Sequence, residues 1–358
     1  MIQRATVGWE PLSDNAVIAV RSLDVLTPRS PLVGQWSSGP SQVLGEDVYT
    51  PGPLLYWLLA LPARLPDAVW LELTMGLVNV ASVLGVIGLA RRRGGWPLAF
   101  AVAVAIPVML ASLPADTLSD IWNATVPLLP VTLLIFLTWS LVCGEYRLLP
   151  LTCLVASFTA QGHLSYVPPT FGALAVGFGG LAASRRRIPR RWTVAAIAVG
   201  AVCWIPPLLE QAIHRPGNLV RLWRAAAADD PTLGLEVGWH AVVRAITTRV
   251  EASATEDASF MALGFQAGLV YAMRREGKPV IAPGLSEVLG SEYGADGGES
   301  QQVLHVAVDD PPPDGQVIAR LAVKEIPDPG DPFAPKVPPT RSVTVTYAGP
   351  RAHGARVP

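Results

Sequence analysis

Charge is what this chain has least of: only 15% of its 358 residues are charged and the net charge is −1. No basic face remains to track a phosphate backbone, so nucleic acid is excluded as a partner. Cysteine is nearly absent too. Cys143, Cys153 and Cys203 sit in or at the ends of apolar runs, show no metal-ligand spacing, and read as small apolar fillers rather than disulfide partners. Met1 to Ser13 carries neither a basic n-region nor an apolar h-region, so no secretory leader is expected there. Lys and Arg are missing altogether from segments 116–123 and 161–164.

What fills the chain instead is apolar sequence, in runs at 69–90, 96–115, 124–143, 148–160, 165–183 and 192–209. Most are close to the ~20 residues that cross ~30 Å of hydrocarbon as a helix. The run at 148–160 is short, but Arg147 before it and Gln161-Gly162-His163 after it are polar, which predicts a span. Basic residues fall in alternate gaps: Arg91-Arg92-Arg93, Arg147, and the cluster from Arg185 to Arg191. Arginine clusters mark the cytoplasmic side. The expectation is an α-helical integral plasma-membrane protein of six spans, in contact with membrane lipids, with both terminal regions extracytoplasmic.

Residues 1–68 read as an extracytoplasmic loop, with a short helix at 15–24 opened by Ser13 or Asp14 and an interfacial helix at 53–62 bounded by prolines, Tyr56 and Trp57 at headgroup level. Pro206-Pro207 is expected to stop the last span, and 210–250 to return along the outer surface. Residues 251–348 predict a small α/β domain. Its helix would start at Ser253 or Thr255 and end at Gly277, and alternation at 302–309, 316–323 and 342–347 predicts strands. Residues 349–358 form a tail. Gly294-Ala295-Asp296-Gly297-Gly298 lacks the strand-then-helix context of a phosphate loop and reads as a surface turn.

Polar groups concentrate on the outer side: Glu10, Asp14, Asn15, Asp116, Asp120, Asn123, Gln161, His163, Glu210, Gln211, His214 and Asn218. Each has a bland reading. Asp14 is either an N-cap worth ~1 kcal/mol or a catalytic carboxylate. Asp116 and Asp120 share a face if helical, an arrangement that suits a divalent cation or an acid–base pair, or else they form a solvated turn. His163 is the histidine at membrane depth, where polar groups tend to be functional, or it is a hydrogen-bonded interfacial residue. Glu72 early in its span can snorkel to the outer interface.

Gly8-Trp9-Glu10-Pro11-Leu12-Ser13-Asp14-Asn15-Ala16, Tyr49-Thr50-Pro51-Gly52-Pro53-Leu54, Ile121-Trp122-Asn123, Gln161-Gly162-His163-Leu164-Ser165-Tyr166, Pro206-Pro207-Leu208-Leu209-Glu210-Gln211 and Arg215-Pro216-Gly217-Asn218-Leu219 follow one another in the chain. In this order they resemble the actinobacterial polytopic membrane glycosyltransferases of the GT-C superfamily, over roughly residues 5–225, with a weaker likeness at 257–283. The resemblance implies transfer of a sugar, hexosyl or pentosyl, from a polyprenyl-phosphate donor to a cell-envelope glycan, lipid or protein acceptor at the outer face. By its position in the matching loop Asp14 would be the general base. Glu10, Asn15, Asp116, Asp120, Gln161, His163 and Glu210 would contribute to substrate binding, Asp116 and Asp120 being the pair for a divalent cation. Displacement at the anomeric carbon, with the phosphate departing at headgroup depth, fits a base on one side and a positive group on the other. Family members place a helix before the Asp-bearing loop and further helices before the outer domain, so the expectation includes the loss of the first and last of these. A truncated, non-catalytic relative is therefore an open alternative. A transporter is less favoured, because the span centres lack Asp, Lys and Arg and no internal repeat is present.

Overall fold

A computed structural model describes residues 10–111, 113, 117–184 and 187–228, the helical residues Tyr271 and Arg274, and the backbone of 303–308, 316–324 and 340–348. The described part is mostly helical. The chain divides into two compact units, Met1–Glu10 with Ile18–Val250, and Pro11–Val17 with Glu251–Pro358.

In chain order the helices are α1 (Ser13–Asp24), α2 (Ser38–Leu44), α3 (Leu54–Leu59), α4 (Val69–Leu110), α5 (Leu128–Val142), α6 (Leu149–Gly162), α7 (Val167–Ser184), α8 (Arg190–Ile213) and α9 (Asn218–Ala226). Single 3-10 turns at Pro62–Arg64, Tyr146–Leu148 and Leu164–Tyr166 lead into or between them. Arg64 closes the end of α1: its guanidinium donates to the carbonyls of Ser22, Leu23 and Val25, the groups a helix C-terminus leaves without amide partners. Asp67 Oδ1 accepts the Val69 amide at 3.1 Å and so serves one of the orphan donors at the start of α4.

Three helical stretches are long and apolar enough to cross a membrane: Val69–Leu110, Leu164–Ser184 and Arg190–Ile213. The six expected spans are not matched one for one. The run 69–90 and the run 96–115 as far as Leu110 lie in the single element α4, while α5 has 15 residues and α6 has 14, both shorter than the ~20 of an untilted crossing. Within α4 the backbone breaks at Gly95, whose φ of 70° and ψ of −162° only glycine adopts without strain. The chain reverses there. Asn79 Nδ2 donates to the Leu118 carbonyl at 2.9 Å, whereas a straight helix would carry Leu110 ~46 Å beyond Asn79 and eight extended residues recover at most ~29 Å. Val86 and Leu89 before the break, and Ile106 after it, accordingly share one cluster with Leu129, Leu133 and Leu137 of α5.

Small residues let these helices approach. A Cβ on Gly85 would come within 2.8 Å of Leu133, and one on Gly177 within 2.9 Å of Thr138, the close backbone contact that helices use where lipid removes the hydrophobic drive to associate. Thr159 and Thr170 share a buried 2.8 Å hydroxyl contact between α6 and α7, and Trp204 Nε1 donates to Ser157 Oγ at 3.1 Å between α8 and α6. Phe100, Val176, Ile197 and Val202 point outward and are exposed, an apolar exterior that suits lipid rather than water.

Pro206-Pro207 does not stop α8, which runs unbroken to Ile213. Both prolines are buried. Pro207 brings no amide to the Cys203 carbonyl four residues earlier, and Gln161 Nε2 donates to that carbonyl instead at 2.9 Å. A partner from another helix thus replaces the missing bond. A bend at 214–216 leads into α9, and the rest of the expected return, residues 229–250, lies outside the described residues.

In the second unit the strands β1 (Val303–Val308), β2 (Gln316–Lys324) and β3 (Thr340–Ala348) form an antiparallel sheet in the order β1-β3-β2, with a bulge between Val317 and Ala319. They lie on the three alternating stretches of the sequence. The helix expected from Ser253 or Thr255 to Gly277 lies outside the described residues except at Tyr271 and Arg274, and the turn 294–298 and the tail 349–358 lie outside them entirely.

Candidate functional site

The site is built in the first unit where three pieces of loop meet the ends of α6, α8 and α9. Residues 34–37 and 48–50 run antiparallel: Gly34 donates to the Thr50 carbonyl at 3.0 Å, Thr50 to the Gln35 carbonyl at 2.7 Å, and Ser37 to the Val48 carbonyl at 2.8 Å. Thr50 Oγ1 also accepts the Gln35 amide at 3.0 Å. Two alanine-intolerant glycines set the spacing. A Cβ on Gly34 would lie 2.0 Å from Thr50 Oγ1, and one on Gly52 would lie 2.2 Å from Gln161 Oε1 and 2.8 Å from Pro207 Cγ.

This loop is tied to the far end of the membrane helices. Asn218 Oδ1 accepts the Tyr49 amide and Asn218 Nδ2 donates to the Tyr49 carbonyl, both at 2.9 Å. The Asn218 amide donates in turn to Glu210 Oε2 at 2.8 Å, so a buried carboxylate caps α9 and neutralises the positive end of its dipole. The other Glu210 oxygen lies 3.4 Å from His214 Nδ1. Arg221 donates to the Asp47 carbonyl at 2.9 Å and faces Glu46. On the other side, Asn123 Nδ2 donates to the Gly162 carbonyl at 3.2 Å. Between these parts lies a small cavity of about 10 Å³, walled by Gly34, Gln35, Gly52, Tyr56, Asn123 and Gln161 among others.

Of the residues expected from the sequence, Gln161 lines this cavity, and Glu210 holds its frame through Asn218. His163 adjoins it in the chain. There its extended backbone and the 3.2 Å bond from the Ser165 amide to Nδ1 make it the cap of the Leu164–Tyr166 turn. Of the two readings of Asp116 and Asp120, the described residues fit the solvated turn: residues 117–119 and 123–127 are turn, and Asp120 accepts the Trp122 amide at 3.1 Å and the Thr125 hydroxyl at 3.3 Å, the local bonding that makes Asp a turn former. Asp116 itself is outside the described residues. Glu10 is exposed. Asp14 is the acidic residue of the first turn of α1, inside the helix that starts at Ser13 rather than at its N-cap; Asp14 and Asn15 belong to the second unit. Glu72 does not snorkel. It is buried at 1% exposure in α4.

Gln35, Thr50 and Gly52 were not among the expected site residues. Their signal was the segment Tyr49-Thr50-Pro51-Gly52-Pro53, whose two prolines and glycine fix a backbone turn, but Gln35 stands in unremarkable loop sequence. Among the described residues no group of three or more His, Cys, Asp or Glu side chains is arranged to hold a metal ion. No family model, curated protein or solved structure matches this chain.

Proposed function

We propose that the chain is a polytopic membrane glycosyltransferase of the GT-C kind, with six crossings and a small extracytoplasmic α/β domain, moving a sugar from a polyprenyl-phosphate donor to a cell-envelope acceptor at the outer face. The observation that carries this reading is convergence. Residues from the separate segments 49–54, 121–123 and 161–166, on which the resemblance rests, line one small cavity through Thr50, Gly52, Asn123 and Gln161, and Pro207, Glu210 and Asn218 of the segments 206–211 and 215–219 brace its loop. Motifs without a common purpose have no reason to assemble. The reversal at Gly95 supports counting α4 as two crossings, and the Arg92–Glu145 and Arg93–Glu145 pairs support placing the 91–95 and 143–147 connections on one side.

In this reading Asp14 is the base that takes the proton of the acceptor hydroxyl as it attacks the anomeric carbon, while the polyprenyl phosphate leaves. Gln161 and His163 stand near the sugar and headgroup, and Asp116, Asp120, Glu10 and Asn15 complete the outer polar surface. Membranes bearing the full chain, incubated with polyprenyl phosphates carrying labelled pentose or hexose, should release label from the donor. Asp14→Asn should lower that rate about 10²–10⁴-fold, the usual yield of a general base, with membrane insertion unchanged. Full transfer by Asp14→Asn would remove the assignment, and the absence of transfer from any donor would favour a non-catalytic relative.

A further inference from the structure

The arginine end of the helices carries more positive charge than its own side chains answer. The connections 91–96, 143–148 and 184–192 contain one acidic residue, Glu145, and it faces Arg92 and Arg93. The connections lie together, because Leu141, Leu149, Leu181 and Ala196 form one cluster on which Tyr146, Leu148 and Ile188 pack. Arg91, Arg147, Arg187, Arg190 and Arg191 are exposed there, beside no second acid in these connections.

Arg91 is held in a particular way. Its guanidinium lies 4.2 Å over the ring of Trp96, which it meets across the reversal at Gly95. Stacking occupies one face of the guanidinium, while its N–H donors lie in the plane of the group and along its edge, where they match two oxygens of a phosphate. Trp96 is itself 67% exposed, and Phe100 at 72%, Val104 and Val108 follow it down α4 at four-residue steps, all exposed. Residues so spaced make one ridge on a helix. The ridge starts beneath the arginine and runs along the apolar helix away from it. A charged fork, then an indole, then an aliphatic row repeats the order of phosphate, interface and acyl chain in a phospholipid. A soluble polyanion would answer the arginine and leave the ridge in water. A zwitterionic lipid would cover the ridge but bring no net charge to the arginine.

We propose that Arg91, Trp96 and the ridge of Phe100, Val104 and Val108 form a binding site for one anionic glycerophospholipid, its phosphate on the edge of Arg91 and an acyl chain along the ridge. The site rests on α4 making two crossings with its turn at headgroup level, as read above, and does not depend on sugar transfer. Full-length protein in neutral detergent would be titrated with dioleoyl phosphatidylglycerol or dioleoyl phosphatidylcholine and followed by native mass spectrometry. The first phosphatidylglycerol should bind about fivefold more tightly than the first phosphatidylcholine, the weight of one arginine at an anionic surface. Arg91→Gln should remove that factor. Arg147→Gln, which takes the same charge from the same end, should leave it in place.

Equal affinity of wild type for the two lipids overturns the site. So does an equal loss in Arg91→Gln and Arg147→Gln, which is the mark of diffuse surface charge. Displacement of the lipid by glycerophosphoglycerol, the headgroup without its chains, would make this a site for free phosphate and overturns the lipid. Should Arg91→Gln not fold, Trp96→Leu takes its place with the same loss expected, and a full preference retained by it counts against the site. The readings separate cleanly. No bound lipid of either kind would sink the site together with the double crossing of α4, whereas a preference lost in Arg91→Gln, without release of sugar label by wild type, would keep the site and sink the transferase.

Discussion

The two ends of α5 and α6 are held by different forces. At the Gly144 end Glu145 faces Arg93 at 2.5 Å and Arg92 at 3.6 Å, and Arg91 lies 4.2 Å over the Trp96 ring. At the opposite end most ties are short-ranged amide bonds, Asn79 to Leu118, Asn123 to Gly162, Gln161 to Cys203, and Asn218 to Tyr49, with the Glu210 carboxylate and Arg221 as the charged exceptions. Charges tell a helix which side of a membrane to occupy, but exposed pairs among them are screened and contribute little to stability. Amides that answer buried backbone groups carry no orientation signal, yet each one removed leaves an unpaid polar atom. The first end is therefore tolerant of change and the second is not.

The largest effect should come from Asn218→Ala. It strips both backbone partners from Tyr49 and should cost about 2–4 kcal/mol in the thermal or denaturant unfolding of the purified protein, with no dependence on salt. A loss below about half a kcal/mol would show that the loop is held by something other than this clamp.

A smaller and more diagnostic effect lies at α8. Gln161→Leu leaves the Cys203 carbonyl without a donor and should cost about 1–3 kcal/mol. In a Pro207→Ala background the alanine amide can reach Cys203 within the helix, so the same substitution should cost distinctly less, and a double-mutant cycle reads the difference. Strict additivity would mean that Gln161 does not stand in for the missing amide.

The smallest effect belongs to the arginine end. Arg92→Gln should cost under about 1 kcal/mol, because the Arg92 side chain is half exposed and lies 3.6 Å from Glu145, whose nearer partner is Arg93, and that loss should shrink as ionic strength rises. A cost matching that of Asn218→Ala would erase the contrast between the two ends.

This contrast also explains what was legible in the sequence. Apolar runs and arginine gaps located the helices α4 to α8 to within a few residues, since length and charge are local properties of a chain. The end of α8 was misread because a proline pair normally breaks a helix, and the group that rescues it, Gln161, is 42 residues away in another helix. Asp116 and Asp120 could be read two ways because i, i+4 spacing is meaningful only if the segment is helical, and the turn at residues 117–119 agrees with the solvated-turn alternative. Gln161 and Glu210 could be singled out as polar residues at helix ends. That Glu210 supports Asn218, and that Asn218 grips Tyr49 across 169 residues, is tertiary geometry that no spacing rule contains. Gln35 had no local mark at all.

The proposed glycosyltransferase reading requires the amide cluster and the arginine cluster to lie on opposite faces of the membrane, the amides outside. In a chain with Cys143, Cys153 and Cys203 replaced, single cysteines at the exposed positions Ser165 and Arg147 would be treated in intact cells with a membrane-impermeant maleimide. The account predicts that Ser165→Cys labels at once and Arg147→Cys only after the membrane is opened; the reverse pattern, or labelling of both from outside, would contradict it.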